Sequence, residues 1–221
     1  MSLGLIAAAA LSTCMVGQPG RQLYADHFDK GMGQWTAEYR ARPGAHIGVR
    51  DGKLVMDVDG GATVWFKQPL SGNFVIRFKR KVVMDGGRND RLSDFNVFWM
   101  ARDPANASLF TRTGEFEQYD PLRLYYVGIG GNTNTTTRFR RYDGKGQRVL
   151  LSEYADRAHL LEANHTYQVE IAVYKGCTQL QLDGQTVFSY RDPEPLADGY
   201  FGFRTTQSRQ EIDDFTIQQL K

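Results

Sequence analysis

The sequence predicts an all-β domain, a sandwich or barrel of about a dozen short strands separated by turns. Three observations carry this. Apolar and polar residues alternate through most of the chain after Gln22. Asp-Gly turns fall between alternating runs, at Asp51-Gly52, Asp59-Gly60-Gly61 and Asp183-Gly184. No stretch keeps a sustained 3.6-residue period, and there is no internal repeat or low-complexity linker.

In chain order, 23–28 reads as a first strand and 34–36 as a short irregular piece. Strands over 46–50 and 53–58 flank Asp51-Gly52 as a hairpin. A strand over 63–66 and a long alternating one over 73–84 follow. Within the latter, Arg77, Lys79 and Lys81 share a face that reads as the solvated side of an outer sheet. Strand 94–101 places Phe95, Val97 and Trp99 on one face and Asp94, Asn96 and Phe98 on the other. Residues 102–121 form a connection long enough to suggest a function, expected to overhang one sheet. A helix of one or two turns is expected over 153–164, around Leu160 and Leu161. Strands over 166–174, 177–182, 186–190, 199–205 and 212–218 close the chain.

The chain has 221 residues and a formal net charge of +2, which suits one β domain and is not the balance of a nucleic-acid polyelectrolyte. The apolar run 3–16 is too short to span a bilayer but fits a signal-peptide core, so 1–20 is expected to be a leader and 21–221 a single domain. Leu11-Ser12-Thr13-Cys14 resembles a lipoprotein box, which makes a lipid anchor on Cys14 the one membrane attachment expected. The expected location is outside the cytoplasm, in the periplasm or at the cell surface. Cys14 and Cys177 do not form a disulfide framework, and Cys177 is expected as an unpaired core or strand thiol.

The densest chemistry lies in 122–144, LRLYYVGIGGNTNTTTRFRRYDG. An aromatic strand breaks at Gly128, Gly130 and Gly131, runs through amides and hydroxyls, and returns as a cationic strand. Tyr126, Asn132, Asn134, Arg138, Arg140 and Tyr142 are the groups that bind sugars and carboxylates. A Gly/Asn/Thr-rich hairpin tip before a solvated basic strand explains the same residues without function. Alternation places Arg138, Arg140 and Tyr142 on one face and Arg141 on the other.

The closing segments, TYQVEIAV, LQLDGQTVF, GYFGFR and DDFTI, resemble the last strands of concanavalin A-like, lectin-type jelly rolls. With DFNVFWMARDP and the 122–144 stretch, nearly all of 21–221 resembles a bacterial family related to the YesU-like proteins of polysaccharide-utilisation loci. The resemblance implies a two-sheet antiparallel jelly-roll sandwich and a carbohydrate context, and it brings no established catalytic residue.

Two chemistries then stand side by side. Glu115-Phe116-Glu117 with Asp120 compares with the acidic strand of jelly-roll glycosidases. As a strand, it would set Glu115 and Glu117 about 7 Å apart on one face, where retaining hydrolysis needs roughly 5–5.5 Å. Charged residues on a surface loop are the plainer reading. For β-elimination at a uronate, a cation or amide must neutralise the carboxylate, a base must take a proton, and an acid must protonate the leaving oxygen. Tyr126, Tyr142 and His159 are candidate acid–base groups. Asn96, Arg112, Asn132, Asn134, Arg138, Arg140 and Arg204 are candidate substrate ligands. An ordinary salt bridge is the competing role for each arginine, and packing beside Leu160 and Leu161 for His159.

No zinc spacing is present, and no cofactor is expected beyond a candidate structural calcium at Asp213-Asp214 with Asp26 or Asp29. Trp35, Trp65 and Trp99 suit core more than sugar platforms. The expectation is therefore a secreted carbohydrate-active protein, a lyase or hydrolase on an acidic, uronate-containing glycan. The alternatives are a non-catalytic carbohydrate-binding module or a structural surface domain.

Overall fold

The computed structural model describes residues 14–221. Sixteen strands follow in order: β1 (Pro19–Asp26), β2 (Trp35–Tyr39), β3 (His46–Arg50), β4 (Lys53–Val58), β5 (Ala62–Phe66), β6 (Leu70–Ser71), β7 (Phe74–Val83), β8 (Phe95–Arg102), β9 (Arg123–Gly130), β10 (Thr136–Asp143), β11 (Arg148–Tyr154), β12 (Thr166–Tyr174), β13 (Cys177–Leu182), β14 (Gln185–Arg191), β15 (Asp198–Thr205) and β16 (Ser208–Leu220). They form two eight-stranded antiparallel sheets of a jelly-roll sandwich. One runs β14-β13-β12-β7-β16-β4-β3, with β1 also on β16; the other runs β11-β10-β9-β8-β15-β5-β2, with β6 also on β15. Among the described residues no helix is long and apolar enough to cross a membrane.

Strand alternation sets the core. Phe95, Val97, Trp99, Tyr125, Val127 and Phe139 point inward against Phe78, Ile171, Leu180 and Ile217 of the facing sheet. All three tryptophans are buried, and Trp99 Nε1 donates to Thr178 Oγ1 across the sandwich at 2.9 Å. None is a sugar platform.

The second sheet also buries its outer face. Residues 103–121 fold back over it, packing Leu109 and Tyr119 on Trp65, Phe98, Leu124, Tyr126 and Tyr142. Glu38, 5% exposed, fastens this flap: Oε2 accepts from Trp65 Nε1 at 2.7 Å and from the Tyr119 hydroxyl at 2.9 Å, and Oε1 accepts from the Arg112 backbone N–H at 2.7 Å. Gly61 and Gly114 let the flap touch the sheet, because a Cβ on Gly61 would lie 2.0 Å from the Gly114 carbonyl oxygen.

Three expectations are corrected. The helix over 153–164 does not form: Glu153 and Tyr154 end β11, paired to Arg138 and Thr137, and one 3-10 turn follows at Arg157–His159. Glu115 and Glu117 do not alternate on a strand, because Phe116–Tyr119 is a 3-10 turn that drives Tyr119 inward. Cys177 is not a free thiol. Pairing of β1 with the chain's last strand carries residue 14 to the start of β13, where Cys14 and Cys177 form a disulfide with Cα atoms 5.7 Å apart.

Candidate functional site

A groove of ≈ 370 Å³ opens on the outer face of the second sheet where the flap stops short. Strand register builds it. Arg204, Asn96, Gly128 and Arg138 lie on one row across β15, β8, β9 and β10. Phe98, Tyr126 and Arg140 lie on the next. Gly128 is the gap in the first row: a Cβ there would come 2.2 Å from the Tyr126 hydroxyl and 2.8 Å from Asn96 Oδ1. The missing side chain lets a phenol and an amide converge over bare backbone.

The rim is cationic. Arg91, Arg138, Arg140 and Arg148 line the groove with Phe116, Asn132, Thr136 and Thr206, and Asp94 is the one carboxylate among the lining residues. Arg138 pairs with Glu153, Arg148 with Asp120 at 2.5 Å, and Arg91 with Asp94 at 2.8 Å. Arg140 makes no ion pair among the described residues, and its guanidinium lies 5.8 Å from the Tyr126 ring centroid.

More positive charge lies beneath. Arg204 is fully buried, with Nη1 donating to Thr63 Oγ1 and the Gly114 carbonyl, while Nε and Nη2 have no partner. Arg80, also fully buried, donates to Gln210 Oε1 and to the backbone carbonyls of Asn96 and Arg204. Burial lowers both guanidinium pKa values, that of Arg80 to about 9, and both remain cationic at neutral pH. Neither forms an ion pair among the described residues, so a positive field reaches the groove floor through low dielectric. Asn96, 2% exposed, leaves Oδ1 unbonded there. Burial also pushes the Tyr126 phenol up to about 12, against the pull of Arg140 and Arg204, so it is a neutral donor at physiological pH.

The structure thus brings together Asn96, Tyr126, Asn132, Arg138 and Arg140 of the expected site. It disperses the others. Tyr142 is fully buried under Phe98 and Tyr126, its hydroxyl unbonded. His159 stacks on Tyr154 at 3.8 Å and bonds Asp156. Glu115 pairs with Arg40 at 2.8 Å at the flap's other edge, and Glu117 is exposed on the 3-10 turn. Asn134 is tied both ways to the Leu161 backbone. Arg112 points into the flap, donating to the carbonyls of Gln118 and Leu109 and to Asp103. Arg204 lies under the site rather than in it. Sequence reasoning missed Asp94, Arg91, Phe116 and Arg148 as lining residues. Asp94 was within reach, since alternation put it on the face of Asn96.

Residues 56–215 match the family model described as Domain of unknown function (DUF6250). The chain belongs to that family. A protein of unknown function with a galectin-like fold from Bacillus subtilis superposes on this DUF6250 chain with TM-score 0.75 at 18% identity, over 92% of this chain and 98% of the other. The carbohydrate-binding module CBM66 from Bacillus subtilis gives 0.57 at 12%, over 85% and 96%. An endo-β-1,3-glucanase from Pyrococcus furiosus gives 0.63 at 9%, over 91% and 95%. Comparison with curated proteins gives no match. At these identities the likeness establishes the fold.

The β9–β10 turn of the DUF6250 chain is strained. Asn132, Thr133 and Asn134 all have left-handed backbone, with φ of 52°, 59° and 58°. Asparagine tolerates this; a β-branched threonine does not. Thr133 is exposed, so Thr133→Gly is expected to raise stability by about 0.5–1 kcal/mol, strain relief exceeding the added unfolded-state entropy. A urea midpoint that falls would contradict this.

Two other places hold less. The aspartates of the calcium expectation, Asp213 and Asp214, gather with His27 rather than with Asp26 or Asp29, their ligand atoms within 4.8 Å of one another. Lys79 Nζ is already 2.7 Å from Asp214 and His27 is 3.0 Å from it, so a metal ion would have to displace an ammonium. A hollow of ≈ 460 Å³ beside residues 25–34 contains Asp26, which is spent on Phe28 N–H, Gln34 and Trp35.

Proposed function

We propose that this chain is a carbohydrate-active protein that binds an acidic, uronate-containing glycan in the groove, in the service of polysaccharide degradation outside the cytoplasm. The observation that carries the reading is the charge arrangement: Arg140 without a carboxylate, above the two buried guanidiniums of Arg80 and Arg204. A planar carboxylate pairs bidentately with a guanidinium, which a neutral hexose cannot do, and the unbonded Asn96 Oδ1 suits a sugar hydroxyl donor. Asn132, Thr136 and Thr206 supply hydroxyl recognition around it. Two of the structural neighbours, a carbohydrate-binding module and an endo-β-1,3-glucanase, support a sugar ligand. The relation to YesU-like proteins belongs to the same proposal. The Cys14–Cys177 disulfide supports an oxidising, extracytoplasmic setting.

Arg140→Ala is expected to weaken oligouronate binding by about one to two orders of magnitude, since a charged hydrogen bond contributes about 1.5–3 kcal/mol. Calorimetric titration with uronate and neutral oligosaccharides checks it. Unchanged uronate affinity in the variant, or binding of neutral glycans alone by the wild type, refutes the reading.

A further inference from the structure

We propose that the groove cleaves its glycan by β-elimination, with the Asp94 carboxylate as the base and the Tyr126 hydroxyl as the acid. This rests on the acidic-glycan reading above and adds a bond-breaking step to it.

The lining residues discriminate between the two chemistries. Hydrolysis of a glycoside by the common routes needs two carboxylates facing each other across the scissile bond, roughly 5–9.5 Å apart. The groove offers Asp94 and no second carboxylate among its lining residues. Glu115 lines a different hollow, beside Gly60 and Gly61. Elimination from a uronate needs one base, one acid and a neutralised carboxylate, and the groove holds all three.

Asp94 is built in rather than merely present. It enters β8 with left-handed backbone, φ 59°, and occupies the same strand face as Asn96. Its N–H donates to the Gly130 carbonyl at 3.3 Å, and its own carbonyl accepts from Gln210 Nε2 at 3.1 Å. Arg91 Nη2 holds one carboxylate oxygen at 2.8 Å and the Ser93 hydroxyl at 3.0 Å. Burial raises the Asp94 pKa against the pull of Arg91, which makes it a better proton acceptor than a free carboxylate. On the neighbouring strand the Tyr126 hydroxyl lies over Gly128 beside Asn96 and makes no hydrogen bond among the described residues.

The step balances without a co-reactant. Arg140 holds the uronate carboxylate and acidifies the C5–H, while the unbonded Asn96 Oδ1 accepts from a sugar hydroxyl. Asp94 takes that proton, the C–H electron pair becomes the C4=C5 double bond, and the C4–O bond breaks. Tyr126 gives its phenolic proton to the departing glycosidic oxygen. The products are a chain with a new hemiacetal reducing end and a chain with an unsaturated uronate at its new non-reducing end. Asp94 then releases its proton to water and Tyr126 regains one, which resets the site.

The test uses homopolymers of galacturonate, glucuronate, mannuronate and guluronate, with a neutral β-glucan as control. Ultraviolet absorbance reads the unsaturated product, and titration reads affinity. Asparagine matches aspartate in size and tolerates left-handed backbone, so Asp94→Asn keeps the fold. Asp94→Asn and Tyr126→Phe are each expected to lower unsaturated-product formation by about 10²–10⁴-fold, with affinity held within about threefold. Retained affinity certifies that each variant is folded. Wild-type binding without unsaturated product, whether or not new reducing ends appear, overturns the elimination and leaves acidic-glycan binding standing. So does Asp94→Asn keeping more than about a tenth of the turnover, given what a general base contributes. Failure of every uronate polymer to bind overturns both.

Discussion

Glu38→Ala is expected to lower global stability by about 3–4 kcal/mol, as measured by urea unfolding, because it takes the acceptor from three donors where flap and sheet meet. Trp65 and Tyr119 are both fully buried; the Trp65 N–H has no other acceptor once Oε2 is gone, and the Tyr119 hydroxyl keeps only Thr63 beside it. Each such group costs about 1–3 kcal/mol, and the backbone N–H of Arg112 adds a third. Glu38→Gln is the sharper comparison. Its amide oxygen can still accept from Trp65 and Tyr119, but its NH₂ then faces the Arg112 N–H, so about half the loss is expected. The flap carries Phe116, which stacks on Arg148 at 4.2 Å and walls the groove. Loosening it should therefore weaken glycan binding and open 103–121 to limited proteolysis, though Glu38 touches no ligand. A stability loss below about 1 kcal/mol with the flap still protease-resistant would show that Glu38 does not fasten it.

The flap also explains where sequence reading succeeded and failed. Arg138, Arg140 and Tyr142 were placed on one face by alternation alone, and register confirms that face. Tyr142 is lost to solvent because residues 103–121 lie over it, and nothing in 136–143 encodes that cover. The same holds for Arg204 and Arg140. Both are outward arginines, yet one is sealed under Phe116 and Tyr119 and the other opens into the groove. Hairpins at Asp51-Gly52 and Asp183-Gly184 were legible because the turn chemistry is local. Phe116 and Arg148 were not, because each reaches the groove through contacts between distant segments. Asp94 was legible as a position and overlooked as a group: its distinction is burial beside Arg91, which alternation does not reveal. The short apolar stretch around Leu160 suggested a helix, but β10 offered its neighbour a hydrogen-bonded edge first.

Reduction of the Cys14–Cys177 disulfide, or Cys177→Ser, is expected to cost up to about 5 kcal/mol, since the bridge closes a span of 163 residues in the unfolded chain. For a domain of this size, that corresponds to a melting temperature lower by roughly 10–15 °C, measured with and without reductant. Much of the effect acts on the unfolded state, so the reduced protein should keep its β-rich circular dichroism at low temperature. A shift below about 2 °C would mean that the bridge does not form in solution. The bridge also bears on maturation. One sulfur cannot be both half of a disulfide and a thioether to a lipid, so a bridged Cys14 carries no diacylglyceryl group. Any leader must then be cut before residue 14. Intact mass of the protein from its native host is expected to show Cys14 retained, no lipid, and two hydrogens fewer than the dithiol form. A lipid mass on Cys14, or a chain starting after it, would remove the bridge and leave Cys177 as the thiol that the sequence led one to expect.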